Sequence, residues 1–172
     1  MRCHGALVDI RGVGVLLLGP SGIGKSECAL ELVQRGCRLV ADDVVELERT
    51  AQGEILGRAP ETLRHAMEIR GLGILSVSDL FGPEAVRETA RVDLICRLDP
   101  PGDASAYERV GIERPTEAIE GVDLPCLVLP ARPAGNMATV VEVAARDHAL
   151  RARGVNAAAL LDARIRAAME RT

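Results

Sequence analysis

The chain has 172 residues, enough for one domain with a substantial core, and its formal net charge of −4 argues against a nucleic-acid partner. Tyr107 and Phe81 are the only aromatic residues, so the sequence lacks the stacking platforms typical of single-stranded nucleic-acid binding. Five scattered cysteines without C-x-x-C spacing indicate buried thiols in a reducing compartment rather than a zinc site. No secretory signal and no apolar stretch of membrane-spanning length is present, so we expect a soluble, cytoplasmic protein.

The first quarter of the chain is predicted to fold as strands around one glycine-rich loop. The apolar spacing of Ser26–Arg35 predicts a helix that ends at Gly36, a typical helix-terminating residue. Strands are predicted over Cys3–Ile10, Val13–Leu18 and Arg38–Ala41, the last one ending at the acidic pair Asp42-Asp43.

The rest of the chain alternates strands with polar loops and ends in two helices. Further strands are predicted over Val44–Leu47 and Ile55–Leu56, which form a hairpin around Gln52-Gly53, and over Val92–Leu98 and Leu127–Leu129. Helices are predicted over Met137–Arg153 and over Ala157–Arg171, the second capped by Asn156. We expect them to pack on the domain through Val140, Val141, Val143 and Ala144, and through Leu160, Leu161 and Ile165. One α/β domain over residues 1–172 is the predicted organisation.

The glycine-rich loop contains the only lysine of the chain, since the other 20 of its 21 Lys and Arg residues are arginine. The segment Gly19-Pro20-Ser21-Gly22-Ile23-Gly24-Lys25-Ser26 matches the phosphate-binding P-loop pattern at every fixed position and lies between a predicted strand and a predicted helix. Backbone N–H groups at such a helix N-terminus bind phosphate, and the flexible lysine reaches the β- and γ-phosphates. The loop therefore predicts nucleotide binding.

Phosphoryl transfer also needs a metal and a group that orients the nucleophile. Ser26 offers a hydroxyl to Mg²⁺, and Asp42-Asp43 lies at a strand end, where adjacent side chains point in opposite directions. One of the two, Asp42 or Asp43, is then a candidate for the metal and the other for the acceptor, although a solvated turn explains the pair equally well. In Glu68-Ile69-Arg70-Gly71-Leu72-Gly73 the carboxylate and the guanidinium suit Mg²⁺ and phosphate, with an ordinary loop as the alternative.

Three further cations are weaker candidates when taken alone. Arg109 lies in a long polar loop and Arg132 lies between two prolines, and each is a possible phosphate clamp or a surface residue. His4 begins the first strand and, by itself, indicates nothing. His65 and His148 receive no role.

These pieces together resemble the HPr kinase/phosphorylase family, the bifunctional serine kinases of the bacterial phosphotransferase system. The resemblance extends from residue 3 to about residue 165. It rests on His4–Asp9, the P-loop extended to Glu27, Arg38–Asp43, the signature Glu68–Ile74, Tyr107–Arg109, Pro130–Pro133 and Val141–Ala145.

The resemblance implies a P-loop kinase domain related to phosphoenolpyruvate carboxykinase, with a central mixed sheet, flanking helices, and ATP and Mg²⁺ as cofactors. The segment from Gly19 to Ser26 would bind the nucleotide, with Lys25 also catalytic, and Ser26 and Glu68 would hold Mg²⁺. Asp43 would be the general base in phosphorylation and the general acid in the reverse reaction. His4 would orient Asp43, Arg109 would stabilise phosphoryl charge, and Arg132 would act in the loop tied to dephosphorylation.

The implied partners are an HPr-type phosphocarrier protein and, in the reverse reaction, inorganic phosphate and pyrophosphate, with no membrane and a homo-oligomer that is hexameric in the family. Two departures stand out. We expect the chain to be a short form without the family's N-terminal domain, as is typical of alphaproteobacteria. Gly135 also replaces an arginine of the dephosphorylation loop, so we expect a weak reverse reaction.

A P-loop kinase of small metabolites and a regulatory nucleotide-binding module remain alternatives. The first requires the signature around Glu68 to be a coincidence. The second is disfavoured because Lys25, Ser26, Asp43 and Glu68 are all present.

Overall fold

The computed structural model describes residues 1–102, 107, 109–131 and 136–171. The strands are β1 (Arg2–His4), β2 (Ala6–Ile10), β3 (Val13–Leu18), β4 (Arg38–Ala41), β5 (Val44–Arg49), β6 (Ile55–Arg58), β7 (Ala66–Ile69), β8 (Gly73–Ser76), β9 (Thr89–Arg91), β10 (Leu94–Asp99), β11 (Thr116–Ile119) and β12 (Val122–Pro130). The helices are α1 (Lys25–Gln34), α2 (Val77–Phe81), α3 (Met137–Ala152) and α4 (Ala157–Met169).

A six-stranded mixed sheet lies at the centre, in the order β11-β12-β10-β3-β2-β4. Strands β3, β10 and β12 run parallel, and the other pairings are antiparallel. The carboxyl ends of β3 and β10 therefore meet at one edge of the sheet, the edge at which open α/β folds bind their ligands.

The two faces of this sheet are covered by different layers. Along β2 and β3, Val8 and Leu17 face a core shared with Leu32 of α1 and with α3. The alternate residues Leu7 and Leu16 face a second core built with a four-stranded sheet in the order β1-β5-β6-β9. Because successive side chains of a strand point to opposite faces, one apolar run supplies both cores.

The first predicted strand is wrong as one continuous element. The strand is interrupted at Gly5, so that β1 pairs with β5 in one sheet and β2 pairs with β3 and β4 in the other. A Cβ atom at Gly5 would lie 2.6 Å from the carbonyl oxygen of Leu17, so only glycine lets the chain cross this closely over β3. The hairpin of β5 and β6 is confirmed. The hairpin of β7 and β8, strand β11 and the short helix α2 were not predicted.

Both C-terminal helices are confirmed to within two residues at each end, and the Asn156 side chain accepts a hydrogen bond from the Ala159 N–H as predicted. Their predicted packing is confirmed for Val141 and Ala144 of α3 and wrong for the other five residues. Helix α3 buries Ala138, Val141, Ala144 and Ala145, whereas Val140 and Val143 are exposed because they lie off this i, i+3, i+7 stripe.

Helix α4 buries no described side chain, so the predicted packing of Leu160, Leu161 and Ile165 is wrong. Each of the three is about half exposed, at 52, 56 and 51%. Within the described residues, no helix combines the length and the apolar character needed to span a membrane.

Candidate functional site

The P-loop connects the end of β3 to the start of α1, as predicted, and its glycines are required by its backbone. Gly19, Gly22 and Gly24 have φ angles of 144°, 79° and 103°, a region that other residues rarely adopt. A Cβ atom at Gly19 would also lie 2.4 Å from the carbonyl oxygen of Leu98. The first N–H groups of α1 have no acceptor inside the helix, so the loop presents donors suited to an anion.

Lys25 folds back over the loop that precedes it. Its ammonium donates hydrogen bonds to the carbonyl oxygens of Gly19 at 2.8 Å and Pro20 at 2.9 Å, and the residue is only 7% exposed. Burial lowers the pKa of the Lys25 ammonium, while the charges of Asp42 and Asp43 oppose that shift. The Lys25 ammonium therefore lies beside the phosphate-binding loop. Rotation of the lysine side chain is enough to release it from these two carbonyl oxygens.

Ser26 and Asp42 form the polar base of the site. The serine hydroxyl lies 2.9 and 3.0 Å from the two carboxylate oxygens of Asp42, which is 3% exposed. The backbone N–H of Glu68 reaches the same carboxylate at 3.4 Å. Burial raises the pKa of Asp42, and these hydrogen bonds act in the opposite direction. A cation bound nearby would stabilise the ionised form of this buried carboxylate.

The donor set fits Mg²⁺ held jointly with a bound nucleotide. Mg²⁺ prefers hard oxygen ligands and is commonly bound through one or two carboxylates together with phosphate oxygens and water. Ser26, Asp42 and Glu68 supply a hydroxyl and carboxylates on one side of the P-loop. Among the described residues no group of three or more His, Cys, Asp or Glu side chains is placed to hold a metal ion.

A second pair, His4 and Asp43, stands at the mouth of the cleft. Nδ1 of His4 lies 3.0 Å from Oδ1 of Asp43, and both side chains are about half exposed. Asp43 has a φ of 66°, uncommon for a residue other than glycine, and its carbonyl accepts the N–H of Gly5 at 3.0 Å. The backbone bond joins the β1–β2 break to the end of β4, and thereby fixes where Asp43 points.

These groups line one polar cleft with a volume of about 160 Å³. Its walls consist of His4, Ser21, Gly22, Gly24, Lys25, Ser26, Glu27, Asp42, Asp43, Glu68 and Arg70. The tertiary structure thus brings together most of the residues predicted for the site. Of the remaining P-loop residues, Gly19 and Pro20 bind Lys25, and the Ile23 N–H donates to the carbonyl of Pro20 at 3.3 Å.

Of the predicted arginines, Arg109 does not line this cleft. Arg109 lines a separate cavity of about 380 Å³ together with Arg114 and Arg151. Arg132 lies outside the described residues, as does Gly135.

Arg70 is a residue of the cleft that the sequence indicated only weakly. Its guanidinium lies 3.4 Å from the position that a Cβ atom on Gly22 would occupy, so its charge faces the phosphate cradle. The signal in the sequence was its place between Glu68 and the two glycines that follow. Apart from this position, nothing in the sequence favoured Arg70 over the other arginines.

Comparison with known proteins identifies the family of this chain. The family model described as the HPr serine kinase C-terminal domain matches residues 1–165. The chain belongs to this family. It shares the α/β P-loop kinase fold with the HPr(Ser) kinase/phosphatase of Coxiella burnetii, at a TM-score of 0.82 and 32% identity over 90% of this chain and 93% of that one.

Sequence relatives of the HPr serine kinase family agree. The HPr kinase/phosphorylase of Exiguobacterium sibiricum is 47% identical over 97% of this chain and 54% of its own length. The protein of the same name from Caldicellulosiruptor bescii is 48% identical over 98% of this chain and 54% of its own length. The chain therefore spans about half the length of these curated relatives.

Proposed function

We propose that this chain is an ATP-dependent protein serine kinase acting on an HPr-type phosphocarrier protein, and that the same cleft supports the reverse phosphorolysis. The observation that carries the proposal is the half-exposed pair of Asp43 and His4 at the mouth of the P-loop cleft. A general base open to solvent suits a hydroxyl on a protein surface. The names of the relatives support this acceptor and both directions.

The nucleotide would bind through the loop from Gly19 to Ser26, with Lys25 released from its carbonyl partners to follow the γ-phosphate. Ser26, Asp42 and Glu68 would hold Mg²⁺, which when bound neutralises phosphate charge. The Arg70 guanidinium would add a second cation beside Gly22 of the P-loop. Arg109 is proposed to stabilise phosphoryl charge only on the strength of the family match, because it lies in a different cavity.

In the forward direction the acceptor serine oxygen forms a bond to the γ-phosphorus while the bond to the β-phosphate oxygen breaks. Asp43 takes the serine proton, and His4 at 3.0 Å holds the carboxylate in place. In the reverse direction inorganic phosphate attacks phosphoserine, the serine oxygen leaves with the electron pair and Asp43 returns its proton. The second product is pyrophosphate.

The direct test combines the purified chain with an HPr-type protein, ATP and Mg²⁺ and detects phosphoserine by mass spectrometry. We expect one phosphoryl group on the acceptor and none when its serine is replaced by alanine. Lys25→Ala should abolish transfer, because it removes the only lysine able to follow the γ-phosphate charge. Transfer to small hydroxylated metabolites but not to the protein would instead favour the metabolite kinase. ATP binding without turnover on any acceptor would favour the regulatory module.

The reverse reaction is expected to be weak because Gly135 stands where the family has an arginine. Incubating phosphoserine-HPr with the enzyme, Mg²⁺ and phosphate should release pyrophosphate slowly relative to the forward rate. Gly135→Arg should raise that rate, with Ala163→Arg on the exposed helix α4 as the control. Wild-type release as fast as the forward reaction would contradict this prediction.

The cytoplasmic location and a homo-oligomeric state, hexameric by resemblance, belong to the same proposal. Light scattering on the purified chain gives the molar mass directly. A mass of about one chain would contradict the oligomer and leave the proposed chemistry untouched.

A further inference from the structure

A second cavity lies directly behind His4, between the two sheets, and has no role in the chemistry above. Its volume is about 370 Å³, within the size range of ligand pockets. Its floor is apolar and is formed by Leu16, Leu18, Leu47, Leu98 and Ile119. We call it the inter-sheet cavity.

The cavity exists because the covering sheet is shorter than the central one. On β10, Ile95 lies in the core between the sheets, whereas Arg97, two residues later on the same face, is 39% exposed. On β3, Leu16 is fully buried and Leu18 is 8% exposed. Beyond them β1 ends at His4, so the space between the layers is left open at the edge that carries the P-loop.

The cations at the opening are already paired with carboxylates. The Arg97 guanidinium donates to both carboxylate oxygens of Glu117, at 2.6 and 2.7 Å, and the Cys126 thiol donates to the same carboxylate at 3.6 Å. The Met1 ammonium lies 3.3 Å from Glu120, and the exposed carboxylate of Asp99 also lines the opening. Paired cations and an exposed carboxylate disfavour a phosphate, whereas the apolar floor suits an apolar side chain.

The inter-sheet cavity adjoins the catalytic cleft. His4 lines both, and Gly19 and Pro20, which hold Lys25, form part of the cavity wall. A protein whose serine reaches Asp43 brings the residues next to that serine close to His4, and therefore close to the cavity that His4 also lines. The nucleotide, in contrast, is expected along the N-terminus of α1.

We propose that the inter-sheet cavity is a specificity pocket that receives an apolar side chain adjacent to the phosphorylated serine of the acceptor protein. This inference rests on the proposed function and adds the part of the substrate that it selects. Such a pocket discriminates through buried apolar area, and a change of one side chain alters the efficiency of the reaction by about 10- to 200-fold.

The test fills the cavity from a side chain that faces it. Cys3 lines the cavity and packs against the second core, so Cys3→Leu and Cys3→Trp obstruct the cavity in two steps. Arg2→Trp is the matched control, since Arg2 is exposed on the same strand β1 and does not line the cavity. Unchanged melting temperatures establish that each variant is folded.

The expected result is a KM for the acceptor protein that rises progressively, by about 10-fold or more for Cys3→Trp, with the KM for ATP unchanged. Alanine substitutions at the apolar residues flanking the acceptor serine should then identify the occupant. Replacing the occupant by alanine should raise the KM with the wild-type enzyme and add nothing with Cys3→Trp.

Three results would overturn the inference. A raised KM for ATP instead would make the cavity a site for the nucleotide base, and equal behaviour of Cys3→Trp and Arg2→Trp would leave it without an occupant. Both leave the proposed function standing, because the wild-type enzyme still phosphorylates the protein. Absence of transfer by the wild-type enzyme would overturn both proposals together.

Discussion

At the scale of single residues, the site depends on two adjacent aspartates in opposite environments. Asp42 is 3% exposed and bonded to the Ser26 hydroxyl, whereas Asp43 is half exposed and paired with His4. The left-handed backbone of Asp43 and the end of β4 turn the two carboxylates apart. One is therefore suited to a metal ion and the other to a proton.

This difference predicts that the same substitution impairs different steps at the two positions, catalysis at Asp43 and binding at Asp42. Asp43→Asn should lower kcat by about 10²- to 10⁴-fold, because an amide cannot accept the serine proton, with nucleotide affinity nearly unchanged. Asp42→Asn should chiefly weaken binding of the Mg²⁺–nucleotide complex, measured by isothermal titration calorimetry. A wild-type rate for Asp43→Asn would exclude Asp43 as the base.

At the scale of elements, a buried carboxylate joins three segments at the end of the central sheet opposite the P-loop. Asp9 on β2 is 2% exposed and accepts hydrogen bonds from Arg38 on β4, from Arg87, and from the Gly12 N–H. Burial raises the pKa of Asp9, but these hydrogen bonds together outweigh it and hold the pKa below its usual value.

The lowered pKa of Asp9 predicts the acid sensitivity of the fold. Because the unfolded chain binds the proton first, ionised Asp9 stabilises the protein above about pH 4, and this contribution is lost as the pH falls through the folded-state pKa. Asp9→Asn should cost about 2 kcal/mol at pH 7 and make stability less dependent on pH between about 5 and 3.

Urea denaturation across that pH range measures both effects. Asp162→Asn is the control, since Asp162 pairs with Arg166 on exposed helix α4 and should contribute little. An acid limb for Asp9→Asn as steep as that of the wild type would assign the acid sensitivity to other carboxylates.

At the scale of the whole molecule, the central sheet is covered by α1 and α3 on one face and by the four-stranded sheet on the other. Helix α3 contributes one stripe to the first core, with Val141 fully buried. Val143, two residues away, is 58% exposed. Helix α4 adds no buried side chain among the described residues.

This arrangement predicts a sharp contrast within one helix. Val141→Ala should destabilise the protein by about 2 kcal/mol, because it leaves a cavity against α1 and the sheet. Val143→Ala should stay within about 0.5 kcal/mol of the wild type. Chemical denaturation of both variants checks the prediction, and equal losses would show that α3 packs through the face predicted from the sequence.

Features that depend on neighbours along the chain were predictable from the sequence. The P-loop, the start of α1 and the cap at Asn156 each follow from residues within one turn or one loop. The hairpin of β5 and β6 likewise follows from the turn between them. For these elements the local backbone preferences and the final fold agree.

The catalytic arrangement itself was decided by tertiary structure. Asp42 meets Ser26, His4 meets Asp43 and Arg70 faces Gly22 because the central sheet and the break at Gly5 bring separate strand ends to one edge. No local preference encodes these distances. The family resemblance alone selected His4 in advance, and it alone chose Asp43 over Asp42 as the base. The buried stripe of α3 and the inter-sheet cavity likewise depend on how layers of unequal length meet, which a periodic pattern of apolar residues does not specify.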